Sequence, residues 1–276
     1  VDASADIDDA AKKIAWGRLS NAGQICIAPE YVMVHEQVAG AFTGALKRAI
    51  AAMYNADGRG FEHSVEYPRI INDRHHQRIS ALLDDAREKG ATFEFGGETI
   101  PEQRYIAPTI LSGVSEDMRI MQEEVFGPVI AVLPYADPAE AVTRIGRRPK
   151  PLSSYIYARD RGVIDYFLTH TTAGSTVVNH NVIQSGTNPH LPFGGVNDSG
   201  IGRIGGQSSF LETSNARAVV EEGPLLMDPD LMFPPYSDKY KKMIGDMLNK
   251  SINIPQAVVN GIHRLIRLRA RLSRHP

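Results

Sequence analysis

Strand-like and helix-like runs alternate from residue 7 to residue 179, and that alternation limits the chain to few architectures. Residues 31–35 (Tyr-Val-Met-Val-His) read as a buried strand. Residues 36–54 follow as an amphipathic helix with Val38, Phe42, Leu46 and Ile50 along one stripe. Residues 72–89 repeat the helical pattern through Ile79, Leu82, Leu83 and Ala86, and Gly90 stops it. Strands are expected at 91–95, 105–111, 129–133, 154–158 and 175–179, and helices at 7–19, 138–145 and 161–170. Ser4 or Asp6 can cap the first helix, along which Ile7, Ala10, Ala11, Ile14, Ala15 and Arg18 alternate between a buried and a wet face at helical spacing. Such a pattern predicts an α/β fold: an open, largely parallel twisted sheet with helices on both faces. Beyond it come a loop at 181–206, a helical patch at 207–213, a strand at 216–221 and a helix at 237–249.

The only cysteine, Cys26, sits in the polar break between the first helix and the first strand, in Asn21-Ala22-Gly23-Gln24-Ile25-Cys26-Ile27-Ala28-Pro29. A thiolate on an exposed turn is a strong nucleophile. A lone Cys is equally a small buried apolar residue. No Lys, Arg or His stands close to Cys26 in sequence, so activation has to come through space. A single cysteine excludes an intrachain disulfide and fits a reducing, cytoplasmic setting.

Other signals are weaker. Gly200-Ile201-Gly202-Arg203-Ile204-Gly205 matches G-x-G-x-x-G, but Val196-Asn197-Asp198-Ser199 before it is turn chemistry rather than a strand, so a dinucleotide cradle is not expected there. The histidines lack metal-ligand spacing, and no metal site is expected. Glu123 and Glu124 precede Val125-Phe126-Gly127-Pro128. A carboxylate pair beside an aromatic and a Gly-Pro turn suits hydroxyl groups and a flat ring, and it equally suits a solvated charge pair. Charge is uneven. Residues 255–276 carry Arg264, Arg267, Arg269, Arg271 and Arg274 with no acid, leaving −7 on the rest of a chain whose net charge is −2. An acidic body argues against nucleic acid as a partner, whereas the tail fits either membrane-surface contact or a packed helix. No apolar run spans a bilayer and no signal peptide is visible.

Three stretches, taken together, resemble the NAD(P)-dependent aldehyde dehydrogenase superfamily: the Cys26 stretch, Glu123-Glu124-Val125-Phe126-Gly127-Pro128-Val129, and Leu191-Pro192-Phe193-Gly194-Gly195-Val196 with Ser199-Gly200-Ile201-Gly202. The form of the Cys26 stretch, and Pro234-Pro235-Tyr236, resemble the class 3 and coniferyl-aldehyde branch. The resemblance implies Cys26 as the catalytic nucleophile, with its backbone N–H as an oxyanion donor. It implies Glu124 on the nicotinamide ribose and Phe126 beside the ring. Phe193 would line the aldehyde tunnel, and Asn179 would lie near the active-site floor. It implies NAD or NADP as cofactor, a small aldehyde as substrate and a homodimer or homotetramer. Residues 1–222 would form the catalytic domain, with an oligomerisation strand near 216–221, and residues 223–276 a C-terminal extension. The family's cofactor domain, its Glu-Leu-Gly-Gly glutamate and its oxyanion asparagine lie mostly N-terminal to such a segment. The chain opens mid-flow at Val1. On that reading it is a piece unable to complete NAD-dependent turnover by itself, or one retained as an assembly module. Gly205-Gly206 stands where the class 3 branch commonly has a bulkier pair with His. A cysteine hydrolase independent of NAD lacks a visible His partner.

Overall fold

The computed structural model describes residues 1–185, 188–221 and 234–249. They fall into two compact units, Val1–Asn215 and the residues from Ala216 onward. In the first, Asp6 caps α1 (Ile7–Leu19) by accepting the Asp9 N–H at 3.2 Å. β1 (Tyr31–His35) runs directly into α2 (Glu36–Tyr54). Asn72 caps α3 (Asp73–Glu88). Then come β2 (Thr92–Phe95), β3 (Thr99–Ile100), β4 (Tyr105–Ile106), β5 (Thr109–Ser112) and β6 (Val129–Tyr135). α4 (Pro138–Gly146), β7 (Ser153–Ile156), α5 (Arg161–His170), β8 (Ser175–Val178) and the short α6 (Gln207–Glu212) complete the unit.

The main sheet has strand order β1-β6-β5-β2, with β1/β6 and β5/β6 parallel and β2/β5 antiparallel. β3 pairs antiparallel with β4, and β7 pairs parallel with β8. The architecture is therefore the expected one, open and largely parallel. Side chains leave a strand alternately on its two faces, and here each face meets helices. Val32, Val34, Ile110, Ile130 and Val132 pack on α1 and α2 through Ile14, Leu19, Phe42, Leu46 and Ile50. Leu111, Val129, Ala131 and Leu133 pack on α3 through Ile79, Leu82 and Leu83. Apart from Pro134, every residue of β6 is buried, as a central parallel strand requires.

Two expectations need correction. The strand predicted at 105–111 is two strands serving different sheets. Pro108 has no N–H to donate, so β4 stops before it, and β5 starts where Thr109 donates to Pro128 O at 2.9 Å. Residues 216–221 belong to no strand in this single chain, and all six side chains are exposed. A strand needs a neighbour for its backbone groups, and among the described residues none is offered there. In the second unit, α7 (Asp238–Asn249) is the expected helix, and Tyr240 stacks on Tyr236 with ring centroids 5.2 Å apart. No helix of the described residues is long and apolar enough to cross a membrane. The basic segment 255–276, with its expected membrane-surface contact, lies outside the described residues.

Phe42 is fully buried between α2 and the sheet. Phe42→Ala is expected to cost about 3–5 kcal/mol, read as a lower urea midpoint. Val65→Ala, at a side chain 90% exposed, is expected to stay within about 0.5 kcal/mol.

Candidate active site

α1 ends in a reversal. Asn21, Ala22 and Gly23 have φ of 51°, 52° and 75°, three successive left-handed residues of which only one is glycine. Side chains hold this strained turn. Asn21 Nδ2 donates to Gln24 O at 3.1 Å. Gln24 Nε2 donates to Asn21 O at 2.9 Å and to Arg69 O at 3.2 Å, and Gln24 Oε1 accepts from Ile71 N at 3.0 Å. A second turn follows, closed by Ala28 N donating to Ile25 O at 3.0 Å. Ile27 and Ala28 are buried beneath it while Cys26 is exposed at its tip. That placement excludes a buried, purely packing cysteine. Among the described residues nothing accepts the Cys26 backbone N–H. Tyr155 Oη donates to Ile27 O at 2.5 Å and accepts from Gln184 Nε2 at 3.1 Å, tying the turn to β7.

The second motif meets the first through bare backbone. A Cβ on Gly23 would lie 2.1 Å from Gly127 O, and one on Gly127 would lie 2.8 Å from Ile79 Cδ1. The Glu123–Pro128 segment is held from below. Arg78 on α3 donates to Glu124 O at 3.0 Å and to Val125 O, and the Glu30 carboxylate accepts the Val125 N–H. Val125 is buried, and Phe126 is held at φ 49°. The two carboxylates separate in role. Glu123 is engaged by Arg119 at 2.8 Å and by Arg78 at 3.7 Å. Glu124 is solvent-exposed, and among the described residues no donor reaches its carboxylate. Its carboxyl sits above the usual range, because neighbouring protein partly desolvates it and Glu30 repels its charge.

Cys26, Glu123, Glu124 and Tyr155 share the wall of one cavity of about 650 Å³. Phe126, Phe193 and Asn179 are not part of that wall. Asn179 closes β8 at φ 57°, and its amide is spent on Ala158: Oδ1 accepts the Ala158 N–H at 3.0 Å and Nδ2 donates to Ala158 O at 2.9 Å. Phe193 is half-buried in a two-residue ladder with Ile204, at 2.7 and 2.8 Å. That ladder places Gly200–Gly205 in a folded-back loop, with no strand before it and only the six-residue α6 after it. The glycines serve close backbone packing here: a Cβ on Gly195 would lie 2.0 Å from Ser199 O.

Sequence reasoning passed over Tyr155 and the use of Arg18. Tyr155 gave no local signal, since it lies 128 residues beyond Ile27. Arg18 did give one, as a cation on the inward stripe of α1, four residues after Ile14.

The family profile described as aldehyde dehydrogenase matches residues 1–219. The chain belongs to the aldehyde dehydrogenase family. The dimeric NADP-preferring aldehyde dehydrogenase of Rattus norvegicus is 38% identical over 218 residues, 79% of this chain and 46% of the relative. A probable coniferyl aldehyde dehydrogenase of Pseudomonas aeruginosa is 35% identical over 245 residues, 87% of this chain and 49% of the relative. These relatives bear out the class 3 and coniferyl-aldehyde resemblance. The substrate-bound structure of Staphylococcus aureus AldH superposes with a TM-score of 0.77 at 34% identity, covering 89% of this chain and 52% of that one. The chain spans about half the length of curated relatives that it matches.

Aldehyde dehydrogenases use NAD(P), and the residues present fit one end of that cofactor. The unpartnered Glu124 carboxylate on the cavity wall is an acceptor suited to a ribose diol. Among the described residues no strand–glycine–helix cradle for a pyrophosphate appears. In this aldehyde dehydrogenase chain the contact between Gly23 and Gly127 keeps the Cys26 turn and the Glu124 loop together. Gly23→Ala combines a positive φ with a backbone collision and is expected to cost about 2–4 kcal/mol. Gly40→Ala, in open space on α2, is expected to gain about 0.5–1 kcal/mol. Paired thermal melts check both signs.

Proposed function

We propose that this chain carries the nucleophile and the nicotinamide-ribose contact of an aldehyde-oxidising site. The observation that carries the reading is Cys26, exposed at the tip of a braced turn, its N–H without an acceptor among the described residues, on the cavity wall shared with Glu124. The Cys26 thiolate adds to the aldehyde carbon, and the carbonyl π pair moves onto oxygen. The Cys26 N–H donates to that oxygen, where a preorganised donor is worth about 2.7–4 kcal/mol. The product is a thiohemiacetal on Cys26. Bound NAD(P) would supply the acceptor for the hydride that this carbon gives up. Cys26 then carries a thioester, which water cleaves to a carboxylic acid and the free thiol. Glu124 would accept the ribose hydroxyls, and Phe126 would stand beside the nicotinamide ring. Phe193 bounds the aldehyde path, while Asn179 acts at one remove by fixing the end of β7 through Ala158.

Because the chain spans about half of its relatives' length, the whole cycle is proposed for an assembly larger than this polypeptide. Residues 216–221, exposed and unpaired, would form an interface strand with a second copy in a homodimer or homotetramer.

Addition to the aldehyde needs no cofactor, so it can be tested on this chain as it is. With a ¹³C-carbonyl aromatic aldehyde, a tetrahedral carbon signal is expected in the wild type and absent in Cys26→Ser. No adduct, or an undiminished one in Cys26→Ser, sinks the nucleophile and favours an assembly module. With NAD(P) and an aldehyde, the polypeptide alone is expected to show no steady-state oxidation; normal turnover would show it to be complete.

A further inference from the structure

Arg18 is among the largest fully buried side chains, with 2% of its surface exposed. Its Nε and Nη2 are buried, and among the described residues no acceptor meets them. A buried guanidinium without hydrogen bonds is costly, and packing alone does not account for it, because apolar replacements of buried ions are often neutral or stabilising. The charge of Glu30 acts on it most strongly, followed by that of Glu124. Glu30 Oε1 lies 3.9 Å from Arg18 Nη2, too far for a hydrogen bond, and the same oxygen accepts the Val125 N–H. Glu124 directly precedes Val125, and among the described residues no donor satisfies its carboxylate. Besides Arg18, the charges acting on the Glu124 carboxyl are those of Glu30, which repels it, and Arg78, which attracts it. The missing side chain of Gly23 leaves room for the cation, since a Cβ there would lie 3.2 Å from Arg18 Nε.

We propose that Arg18 is a positioning residue for Glu124: a buried cation that holds this carboxylate at the cavity wall, directly by charge and through Glu30 on the Val125 N–H. The inference rests on the reading of Glu124 as the ribose acceptor. A guanidinium does not titrate away in a protein, so it favours the ionised form of Glu124, which accepts two hydroxyls at once. Desolvation and Glu30 act the other way, and Arg18 with Arg78 opposes them. Supplied from α1, this charge is fixed to the element that ends in the Cys26 turn. One rigid helix therefore sets both the nucleophile and the carboxylate.

The test is an NMR titration of the full chain, with ¹³C-carboxyl glutamate assigned through Glu124→Gln. Arg18→Met is expected to move the Glu124 midpoint to higher pH, and Arg18→Lys to return it most of the way, with circular dichroism reporting that each variant is folded. In the wild type, which needs no variant to fold, the ¹⁵N-labelled Arg18 Nε–H signal is expected to follow the Glu124 midpoint. An unmoved midpoint in folded Arg18→Met, or an Arg18 signal that follows Glu30 and ignores Glu124, overturns the proposal. The thiohemiacetal experiment is independent of this titration. A Cys26 adduct without Arg18–Glu124 coupling removes only the positioning role, whereas coupling without an adduct removes the catalytic reading.

Discussion

The candidate site depends on a backbone contact between Gly23 and Gly127. No side chain fits at that crossing, so the segment after α1 and the segment before β6 touch where sequence separates them by over a hundred residues. Everything above it follows from the close approach. The left-handed run Asn21-Ala22-Gly23 brings the chain in, and Gln24 ties it to Arg69 and Ile71. Glu30 and Arg78 hold the facing loop by its backbone groups, and among the described residues no hydrogen-bond donor takes up the Glu124 carboxylate. Interiors pack at crystal-like density and do not deform continuously, so two such loops in contact behave as one body.

The body rests on the two-faced sheet. β6 donates alternate side chains to α1 and α2 on one side and to α3 on the other. α1 leads into the nucleophile, and α3 carries Arg78 to the carboxylate loop. The same helices that cover the sheet therefore aim the site, and the burial of Phe42 and Leu82 supports both tasks.

Most of the sheet was legible because burial on two faces writes long apolar runs, and 129–133 is such a run, which the structure extends to Tyr135. The ends of elements were less so. The break at Pro108 was visible as a residue but not as a change of sheet, because partner choice lies outside the segment itself. Residues 216–221 read as a strand from side-chain preference, and a strand also needs a partner, which the described residues of one chain do not offer. Composition identified the Cys26 stretch and the Glu123–Glu124 pair but could not say which carboxylate was free. That answer came from Arg119 and Arg78, brought to Glu123 by folding. Asn179 is expected near the active-site floor only through the resemblance, and its amide serves Ala158.

The loop around Phe193 closes on itself. Its ladder to Ile204, the Arg203 bond to Gly202 O at 2.8 Å and the glycine contact at Gly195 all use main-chain atoms or residues inside 193–204. None of these bonds involves the ring at 193. The aromatic is a passenger on a clip held by main-chain bonds and, from outside, by Glu212, which accepts the Arg203 N–H at 3.1 Å, so evolution can exchange what the clip displays without redesigning what holds it.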